Sequence, residues 1–315
     1  MIDNATILIT GGTGFFGTAM ARRLLTGFKP KKLIIYSRDE YKQFLMAEKF
    51  REHEDHLRFF IGDIRDKDRL ARAFYDVDYV FHAGALKQVP ACEYNPFEAV
   101  KTNIEGTQNV IDCAIDRGVK KVVALSTDKA VNPISLYGAT KLAADKIFVS
   151  ANAYAGSKNS VFSVLRSGNL AGSRGSVIPF FQMLIDKGEK ELPITDMRMT
   201  RYWATVEEAV DLALVALRES CGGEIFVSKI PSFRITDLAR ALKPDCGLKE
   251  IGIRDGEKIH EIMITEYDSL HTREYDGHYI IFPTRYKLDK GRGLMEKGKK
   301  VEPFFQYTSD NNADW

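Results

Sequence analysis

The sequence predicts an α/β fold with a doubly wound parallel sheet and a smaller C-terminal domain that binds substrate. Two observations predict this fold. Short apolar runs alternate with helical patterns through the first half of the chain, as in parallel strands joined by helices. A glycine-rich turn also follows the first apolar run directly and precedes a helical pattern. That order is typical of Rossmann-type dinucleotide-binding units.

The apolar runs of the first half are predicted to be the strands of this sheet. They are short and are separated by helical patterns, so neighbouring strands run parallel. The predicted strands are Thr6–Thr10, Lys32–Tyr36, Leu57–Gly62, Tyr79–His82, Lys121–Leu125 and Val161–Leu165.

After Arg166 the pattern becomes irregular, because glycines and prolines interrupt it. A helix predicted from Thr205 to Arg218 returns to the first domain. We therefore assign two discontinuous domains. The dinucleotide-binding Rossmann domain comprises 1–166 and about 204–228, and the substrate-binding domain comprises 167–203 and 229–315.

Composition and charge exclude several classes of protein. The chain has 45 basic and 43 acidic residues and a net charge of +2, which argues against binding to nucleic acid or to a membrane surface. No apolar run reaches membrane-spanning length and the N-terminus has no secretion signal, so we expect a cytoplasmic protein. Cys92, Cys113, Cys221 and Cys246 lack metal-ligand spacing. We expect reduced thiols and no metal site.

The glycine-rich turn has the spacing Gly-x-x-Gly-x-x-Gly. Gly11 would form the tight turn, Gly14 would let the backbone approach a pyrophosphate, and Gly17 would let the helix pack on the strand. The helix N-terminus would then face the phosphates. The residues predicted to contact the dinucleotide here are Gly11, Thr13, Gly14, Phe15, Phe16 and Gly17.

The end of the second predicted strand indicates which dinucleotide is bound. A chain that selects NAD usually has an acidic residue there, but this chain has Ser37 and Arg38, whose hydroxyl and guanidinium suit a 2′-phosphate. NADP is therefore favoured over NAD, although Asp39 and Glu40 lie close by. The ends of the third and fourth strands complete the predicted cofactor site with Asp63, Ile64, Ala83, Gly84 and Ala85.

A second motif surrounds the end of the fifth strand. Tyr137 and Lys141 lie one helical turn apart on one face, so the ammonium can lower the pKa of the phenol. Such a tyrosine can accept a proton from an alcohol while a hydride leaves the same carbon. Thr127, Asp128 and Lys129 would bring an acid and a potential base to the same pocket. Alone, Asp128-Lys129 is more simply a structural ion pair; beside Thr127 and Tyr137, the catalytic interpretation is favoured.

These motifs resemble a known family. The glycine turn, Asn103, Thr127 and the Tyr137/Lys141 pair are similar to those of the extended short-chain dehydrogenase/reductases, over nearly the whole chain. Further blocks resemble the inverting UDP-N-acetylglucosamine 4,6-dehydratases that begin pseudaminic acid synthesis. These blocks are Ser126–Ala130, Tyr137–Leu142, Gly172–Pro179, Pro193–Asp196 with Met199–Arg201, and Gly256–Glu261.

The resemblance implies a cytoplasmic, NADP-containing lyase that forms a homo-oligomer, either a dimer or a hexamer. It would convert UDP-N-acetylglucosamine to a UDP-2-acetamido-2,6-dideoxy-4-keto-hexose with inversion at carbon 5. In the retaining dTDP-glucose enzymes the residue matching Lys129 resembles a glutamate, so the lysine favours the inverting branch.

The resemblance assigns catalytic roles to Thr127, Asp128, Lys129, Tyr137 and Lys141, and places Asn103 with the cofactor-binding residues. Tyr137, with Lys141 and Thr127, would oxidise carbon 4. Lys129 would remove the proton on carbon 5, provided that burial and the nearby Lys141 lower its pKa. Asp128, if held protonated, would protonate the departing hydroxyl of carbon 6.

A nucleotide-sugar site in the second half of the chain is also implied. Arginines supply the cations that a diphosphate needs, and the matching positions are mostly polar. The implied substrate residues are Lys87, Asn169, Arg174, Val177, Thr195, Met199, Arg201, Arg254 and Glu257.

Two other functions stay open. A nucleotide-sugar 4-epimerase would share Tyr137 and Lys141 but would need neither an acid at Asp128 nor a base at Lys129. A non-catalytic NADP-binding regulator is the second, and the complete Thr127/Tyr137/Lys141 set argues against it. The segment Tyr307–Trp315 is consistent either with docking on the protein or with a loose tail.

Overall fold

The computed structural model describes residues 1–156, 160–173, 175–284 and 288–315. Within these residues the strands are short, and they are numbered in chain order. They are β1 (Thr6–Thr10), β2 (Lys32–Ser37), β3 (Leu57–Ile61), β4 (Tyr79–His82), β5 (Lys121–Thr127), β6 (Val161–Ser167), β7 (Asn169–Leu170), β8 (Glu191–Ile194), β9 (Thr200–Ala204), β10 (Ile225–Ser228), β11 (Ser232–Arg234), β12 (Gly247–Glu250), β13 (Ile262–Ile264), β14 (Thr272–Glu274), β15 (His278–Ile281), β16 (Lys299–Lys300) and β17 (Tyr307–Thr308).

The helices alternate with the strands through the first half of the chain. They are α1 (Phe15–Gly27), α2 (Glu40–Lys49), α3 (Lys67–Ala73), α4 (Val89–Tyr94), α5 (Pro96–Val100), α6 (Gly106–Arg117), α7 (Leu136–Tyr154), α8 (Val177–Asp186), α9 (Val206–Glu219), α10 (Ile235–Leu242), α11 (Glu266–Ser269) and α12 (Leu288–Lys297). None of those that the structure describes combines the length and apolarity needed to cross a bilayer.

The main sheet confirms the predicted α/β fold. Its parallel part has the strand order β3-β2-β1-β4-β5-β6-β10, and β15, β14 and β16 continue it with antiparallel pairing. The order reverses between β1 and β4, so the crevice at the carboxyl ends of these strands is the place where such sheets bind ligands.

Both faces of the sheet are covered because its strands are apolar on both sides. Leu8 and Val80 pack against one hydrophobic cluster, which includes buried residues of α3, α6 and α7. Ile7, Ile9 and Phe81 pack against a second cluster, with buried residues of α1 and α9. This is the doubly wound arrangement that the alternating pattern predicted.

The predicted helix from Thr205 to Arg218 is confirmed, with a boundary that its sequence explains. Thr205 is the N-cap, and with Glu208 it forms a reciprocal capping box, so the first helical residue is Val206. The helix packs beside α1, where Arg23 Nε lies 3.1 Å from Asp211 Oδ1.

Strands β5 and β6 extend beyond the predicted Leu125 and Leu165. They pair as far as Thr127 and Ser167, although their last residues are polar. The polar ends are tolerated because they find buried partners: the Ser126 hydroxyl donates to Asp145 Oδ2 at 2.8 Å. The strand therefore carries Thr127 itself to the carboxyl edge of the sheet.

A second, smaller core lies in the C-terminal half. It contains Phe181, Leu192, Ile194, Met199 and Ile235, next to the small sheets β11-β9-β7 and β12-β8. Strands β14, β15 and β16 come from the range 229–315 yet join the main sheet. The predicted domain boundaries stay a prediction.

The C-terminal segment docks on the protein, which decides between the two alternatives for Tyr307–Trp315. Strand β17 pairs with β13, and the Tyr307 hydroxyl donates to the Ile230 carbonyl at 2.9 Å. Further along, the Asp314 carbonyl accepts a hydrogen bond from the amide of Ser232 at 2.9 Å.

Candidate active site

The glycine turn between β1 and α1 leaves no room for side chains. Gly11 has φ +64°, and a Cβ there would lie 2.8 Å from the Ala83 carbonyl oxygen. A Cβ on Gly17 would lie 2.6 Å from the Gly12 backbone. The structure thus brings the turn against Ala83 and Gly84 after β4, and packs the helix closely on the turn.

The start of α1 is open to an anion. Gly14 is its N-cap, no side chain accepts a hydrogen bond from its first amides, and its first turn has no acidic residue. Unsatisfied amides and the positive end of the helix dipole attract phosphate. The turn therefore has the shape and the donors that a pyrophosphate needs.

Ser37 and Arg38 lie at the end of β2, and their side chains differ in availability. The Ser37 hydroxyl is buried and accepts a hydrogen bond from Gln43 Nε2 at 3.0 Å. The Arg38 side chain is 58% exposed, and its Nη1 lies 3.6 Å from Asp63 Oδ2, a carboxylate held more closely by Arg65 at 2.7 Å. Arg38 is thus the more available group of this pair.

The acidic residue next to this pair is engaged in helix α2. Asp39 is the N-cap of that helix, accepts from the Lys42 amide at 3.0 Å, and pairs with the Lys42 ammonium at 2.6 Å. These hydrogen bonds from Lys42 hold the pKa of Asp39 below its usual value. Asp39 is therefore directed toward its own helix.

Asn103 forms hydrogen bonds with the backbone beside the crevice, and Ile64 packs nearby. The Asn103 side chain accepts from the Leu86 amide at 2.8 Å and donates to the Leu86 carbonyl and to Thr140 Oγ1, each at 3.0 Å. It thereby joins the loop after β4 to α7. Ile64 is buried, 3.5 Å from where a Cβ on Gly84 would lie.

Tyr137 and Lys141 lie on the buried face of α7, as their spacing predicted. Lys141 Nζ donates to the Leu125 carbonyl at 2.8 Å. Burial raises the pKa of Tyr137 to about 12, although Lys129 and a hydrogen bond with Thr127 lower it. Lys129 is thus the cation that lowers the pKa of the Tyr137 phenol, and the prediction that Lys141 also lowers it stays a prediction.

Asp128 is fully buried in a 3₁₀ turn directly after β5. Its Oδ1 accepts from the Thr127 hydroxyl at 2.8 Å and from Lys129 Nζ at 3.1 Å. Its Oδ2 is buried and has no hydrogen-bond partner among the described residues. Burial, together with Glu261, raises the pKa of Asp128 against the opposing effect of Lys129. The expectation of a carboxyl group that can hold a proton is consistent with this direction.

Lys129 lies between two carboxylates. Its Nζ is 3.1 Å from Asp128 Oδ1, 3.1 Å from Asn169 Oδ1 and 3.2 Å from Glu261 Oε1. Burial lowers the pKa of Lys129, but Asp128 and Glu261 outweigh it, and the pKa lies above its usual value. The expectation that burial and Lys141 lower this pKa below its usual value is therefore wrong.

Sequence reasoning did not select Glu261 as a site residue. It is 2% exposed, and besides Lys129 its carboxylate faces Arg201 Nε at 3.6 Å and Lys258 Nζ at 3.8 Å. It occurred in the sequence only as the last residue of the Gly256–Glu261 block. No local pattern brings it to Lys129, because the contact depends on how the C-terminal half folds over β5.

Some of the implied substrate residues meet at this cluster. Asn169 contacts Lys129 directly. Lys87 Nζ lies 3.4 Å from Ser173 Oγ, and burial and Lys129 lower its pKa. Arg201 is buried, and its Nη1 donates to the Thr200 and Ile259 carbonyls. The Arg201 guanidinium thus makes internal contacts.

Other implied substrate residues lie at the rim of the site or away from the cluster. Arg254, 61% exposed, pairs with Glu257 at 2.7 Å on a loop whose Gly256 would meet Ser135 if it had a Cβ. Thr195 Oγ1 contacts Met199 Sδ at 3.3 Å. Val177 begins α8 and is partly buried, and Arg174 lies outside the described residues.

His82 has a structural environment. It is buried between Thr10 Oγ1 at 2.7 Å and Thr107 Oγ1 at 3.3 Å, and burial, with Lys141, lowers its pKa to about 3. Among the residues that the structure describes, no group of three or more histidines, cysteines or carboxylates could hold a metal ion.

The chain is similar over its whole length to other proteins. The family described as polysaccharide biosynthesis protein matches residues 7–283. UDP-N-acetylglucosamine 4,6-dehydratase (inverting) of Campylobacter jejuni subsp. jejuni serotype O:2 is 56% identical, covering 100% of this chain and 95% of the relative. UDP-glucose 4-epimerase of Rickettsia typhi is 41% identical, covering 99% and 92%. The X-ray structure of Pen from Bacillus thuringiensis has a TM-score of 0.90 at 40% identity, covering 100% and 95%.

Proposed function

The chain belongs to the polysaccharide biosynthesis protein family of extended short-chain dehydrogenase/reductases, and from this premise we propose that it is an inverting UDP-N-acetylglucosamine 4,6-dehydratase. The family inferred from the sequence motifs is confirmed. The enzyme is a carbon–oxygen lyase that removes water from UDP-N-acetylglucosamine and inverts carbon 5. The observation that carries the function is the Asp128–Lys129 pair beside Tyr137, in a chain 56% identical to a relative of that name.

The residues at the carboxyl edge of the sheet fit a nicotinamide dinucleotide. The glycine turn is a cradle that a Cβ would fill, and the first amides of α1 have no side-chain cap. These groups would hold the pyrophosphate, and Lys141, buried beside β5, would hold the nicotinamide ribose. When bound, the dinucleotide accepts a hydride from carbon 4 of the sugar and returns it at carbon 6.

NADP is the dinucleotide that we propose. The exposed Arg38 guanidinium is available for a 2′-phosphate, and Asp39, which would repel that phosphate, is paired with Lys42. Because the reaction returns the hydride within one turnover, the cofactor need not leave, and we expect it to copurify with the protein.

Replacement of Arg38 by alanine should test the choice of dinucleotide. We expect wild-type protein to contain NADP(H), and the variant to contain roughly tenfold less, because one charge-assisted contact to phosphate is lost. Chromatography of the extracted nucleotide measures this. Arg51→Ala is the control, since Arg51 is an exposed arginine that pairs with Glu48 near the end of α2. Extraction of NAD alone from the wild type would contradict the choice of NADP.

The first proton transfer belongs to Tyr137. Burial favours its neutral phenol, and Lys129 and Thr127 oppose this by lowering its pKa. As the phenolate, which the Lys129 cation and the Thr127 hydrogen bond favour, Tyr137 can take the proton of the carbon 4 hydroxyl as the hydride leaves that carbon. The resulting ketone acidifies the proton on carbon 5, so that a positioned base can remove it.

Asp128 becomes the acid and Lys129 becomes the base when one proton moves from Lys129 to Asp128. Before the reaction this proton rests on Lys129, whose Nζ lies 3.1 Å from Asp128 Oδ1. Transfer of that proton to Asp128 leaves a neutral amine and a neutral carboxylic acid without changing the net charge. Lys129 then removes the proton on carbon 5, and Asp128 protonates the hydroxyl that leaves carbon 6 as water. A proton from the solvent is finally added to carbon 5 from the opposite face, once the hydride has returned to carbon 6.

Release of water separates this function from the 4-epimerase alternative. Purified protein incubated with UDP-N-acetylglucosamine should give a product lighter than the substrate by one water. An epimer of unchanged mass would support the alternative. We retain the homo-oligomer, as dimer or hexamer, and the cytoplasmic location as proposals that follow from the resemblance.

A further inference from the structure

Glu261 lies in the same buried cluster as the proposed acid and base, yet no step of the reaction above uses it. Its Oε1 accepts from Lys129 Nζ at 3.2 Å and faces Arg201 Nε at 3.6 Å. Its Oε2 is buried without a hydrogen-bond partner among the described residues, and Lys258 Nζ lies 3.8 Å away. A carboxylate is rarely buried this completely unless cations compensate for its charge.

The backbone of Glu261 is fixed by the docked C-terminal segment. The Glu261 amide donates to Ser309 Oγ at 2.9 Å, and the Ser309 amide donates to the Glu261 carbonyl at 2.8 Å. Ser309 is fully buried, and its hydroxyl also contacts Thr200 Oγ1 at 2.6 Å. The Glu261 carboxylate is thus anchored on the side of Lys129 opposite the catalytic turn.

Lys129 is held by this anchor. Three oxygens surround its Nζ, from Asp128, Asn169 and Glu261, at 3.1 to 3.2 Å. Asp128 belongs to the turn after β5, whereas Asn169 and Glu261 come from separate later segments. Three acceptors at such distances fix a flexible lysine side chain in one direction, which a base must have to reach a single carbon.

Charge adds a second effect of Glu261. The ionisable groups that face the Lys129–Glu261 pair from the surrounding elements are Lys87, Asp128, Tyr137, Arg201, Tyr202 and Lys258. In this cluster, the carboxylates of Asp128 and Glu261 compensate the positive charges of Lys129, Arg201 and Lys258. Without Glu261, Asp128 alone would compensate the charges of these three cations. The pKa values of Asp128 and Lys129 would then be lower.

We propose that Glu261 is a positioning residue that directs Lys129 toward the substrate and sets the pH range in which Asp128 and Lys129 share one proton. This inference rests on the proposed dehydratase function. Below that range both groups are protonated and the base is lost; above it both are deprotonated and the acid is lost. Glu261, as an anion, moves both limits of this range to higher pH.

Glu261→Gln removes the charge and keeps nearly the same shape. We expect both limbs of the pH profile of kcat to move to lower pH by about one to three units. Water release from UDP-N-acetylglucosamine by the wild type, measured in the same series, tests the proposed function separately. A loss of packing alone would lower the rate without moving the limbs.

Glu261→Asp keeps the charge and withdraws the carboxylate by one methylene. We expect the pH limbs to stay in place, KM to change by less than about twofold, and kcat to fall roughly tenfold to a hundredfold, the cost typical of misplacing a catalytic group. In deuterated water, incorporation at carbon 5 should slow by the same factor. If Glu261→Gln does not fold, this variant still tests whether Glu261 positions Lys129.

Glu224→Gln is the matched control. Glu224 is as deeply buried, at 1% exposure. It directly precedes β10, at the amino-terminal ends of the parallel strands, and accepts hydrogen bonds from the amides of Cys221 and Gly222. Its substitution should leave the pH profile of kcat unchanged. The proposal is overturned if the pH limbs of folded Glu261→Gln match those of the wild type, or if Glu261→Asp turns over at the wild-type rate.

Discussion

Replacement of Lys129 by alanine is expected to slow water elimination by roughly a hundredfold to ten-thousandfold, the usual effect of removing a positioned general base. The hydride transfer from carbon 4 should still occur because Tyr137 is retained, but more slowly, since the Lys129 cation that lowers the pKa of its phenol is lost. A single turnover should therefore accumulate reduced nicotinamide and the 4-keto sugar, which absorbance and mass spectrometry detect. Buried Asp128 and Glu261 lose their shared cation, so the variant is also expected to be less stable.

Two companion variants make the Lys129 result specific. Lys121→Ala removes a half-buried lysine from the opposite end of β5, where it donates to the carbonyls of Arg218 and Ser220, and should leave turnover within about twofold. Asp128→Asn should reduce loss of the carbon 6 hydroxyl more than proton exchange at carbon 5. Elimination at the wild-type rate by Lys129→Ala would return Asp128-Lys129 to the role of a structural ion pair.

Tyr137→Phe should abolish the first oxidation, with a loss of roughly a hundredfold to ten-thousandfold in hydride transfer. The phenol is the group placed to accept the proton of the carbon 4 hydroxyl, and phenylalanine fills the same buried space. Cofactor content should be unchanged, since the glycine turn is intact. Rapid mixing with substrate, followed by nicotinamide absorbance, measures the step directly.

Tyr275, which directly follows β14 at the β16 end of the main sheet, provides the control for this variant. The Tyr275 hydroxyl donates to the Leu294 carbonyl at 2.6 Å, so Tyr275→Phe loses one buried hydrogen bond without touching the site. It should keep wild-type hydride transfer. Full turnover in Tyr137→Phe would mean that another group performs the redox proton transfer.

Features that depend on neighbouring residues in the chain were predictable from the sequence. β1 and β4 begin and end at the predicted residues, because each is an apolar run bounded by turn residues. The one-turn spacing of Tyr137 and Lys141 placed both on the buried face of α7 without any tertiary information. The glycine turn was similarly local, since each glycine is required by a backbone contact within the β1–α1 unit or with β4.

Features set by tertiary contacts were not predictable in this way. Glu261 reaches Lys129 only because β13 pairs with β17 and Ser309 binds the Glu261 backbone. The pKa direction of Lys129 was wrong for the same reason, since the second carboxylate beside it was unknown. The contact of Arg201 with Glu261 was also not predictable, because strand β9 sets the direction of the Arg201 side chain. Charged groups that compensate each other through tertiary contacts leave no periodic pattern in the sequence.

We attribute the inverting dehydratase activity of this chain to Lys129 and Asp128. To test this, the purified protein is incubated with UDP-N-acetylglucosamine in deuterated water, and the product is determined by mass spectrometry and NMR. We expect a 4-keto-6-deoxy product that has lost one water, carries one deuterium at carbon 5, and has inverted configuration there. Retained configuration at carbon 5, or a product of unchanged composition that is only epimerised at carbon 4, would contradict it.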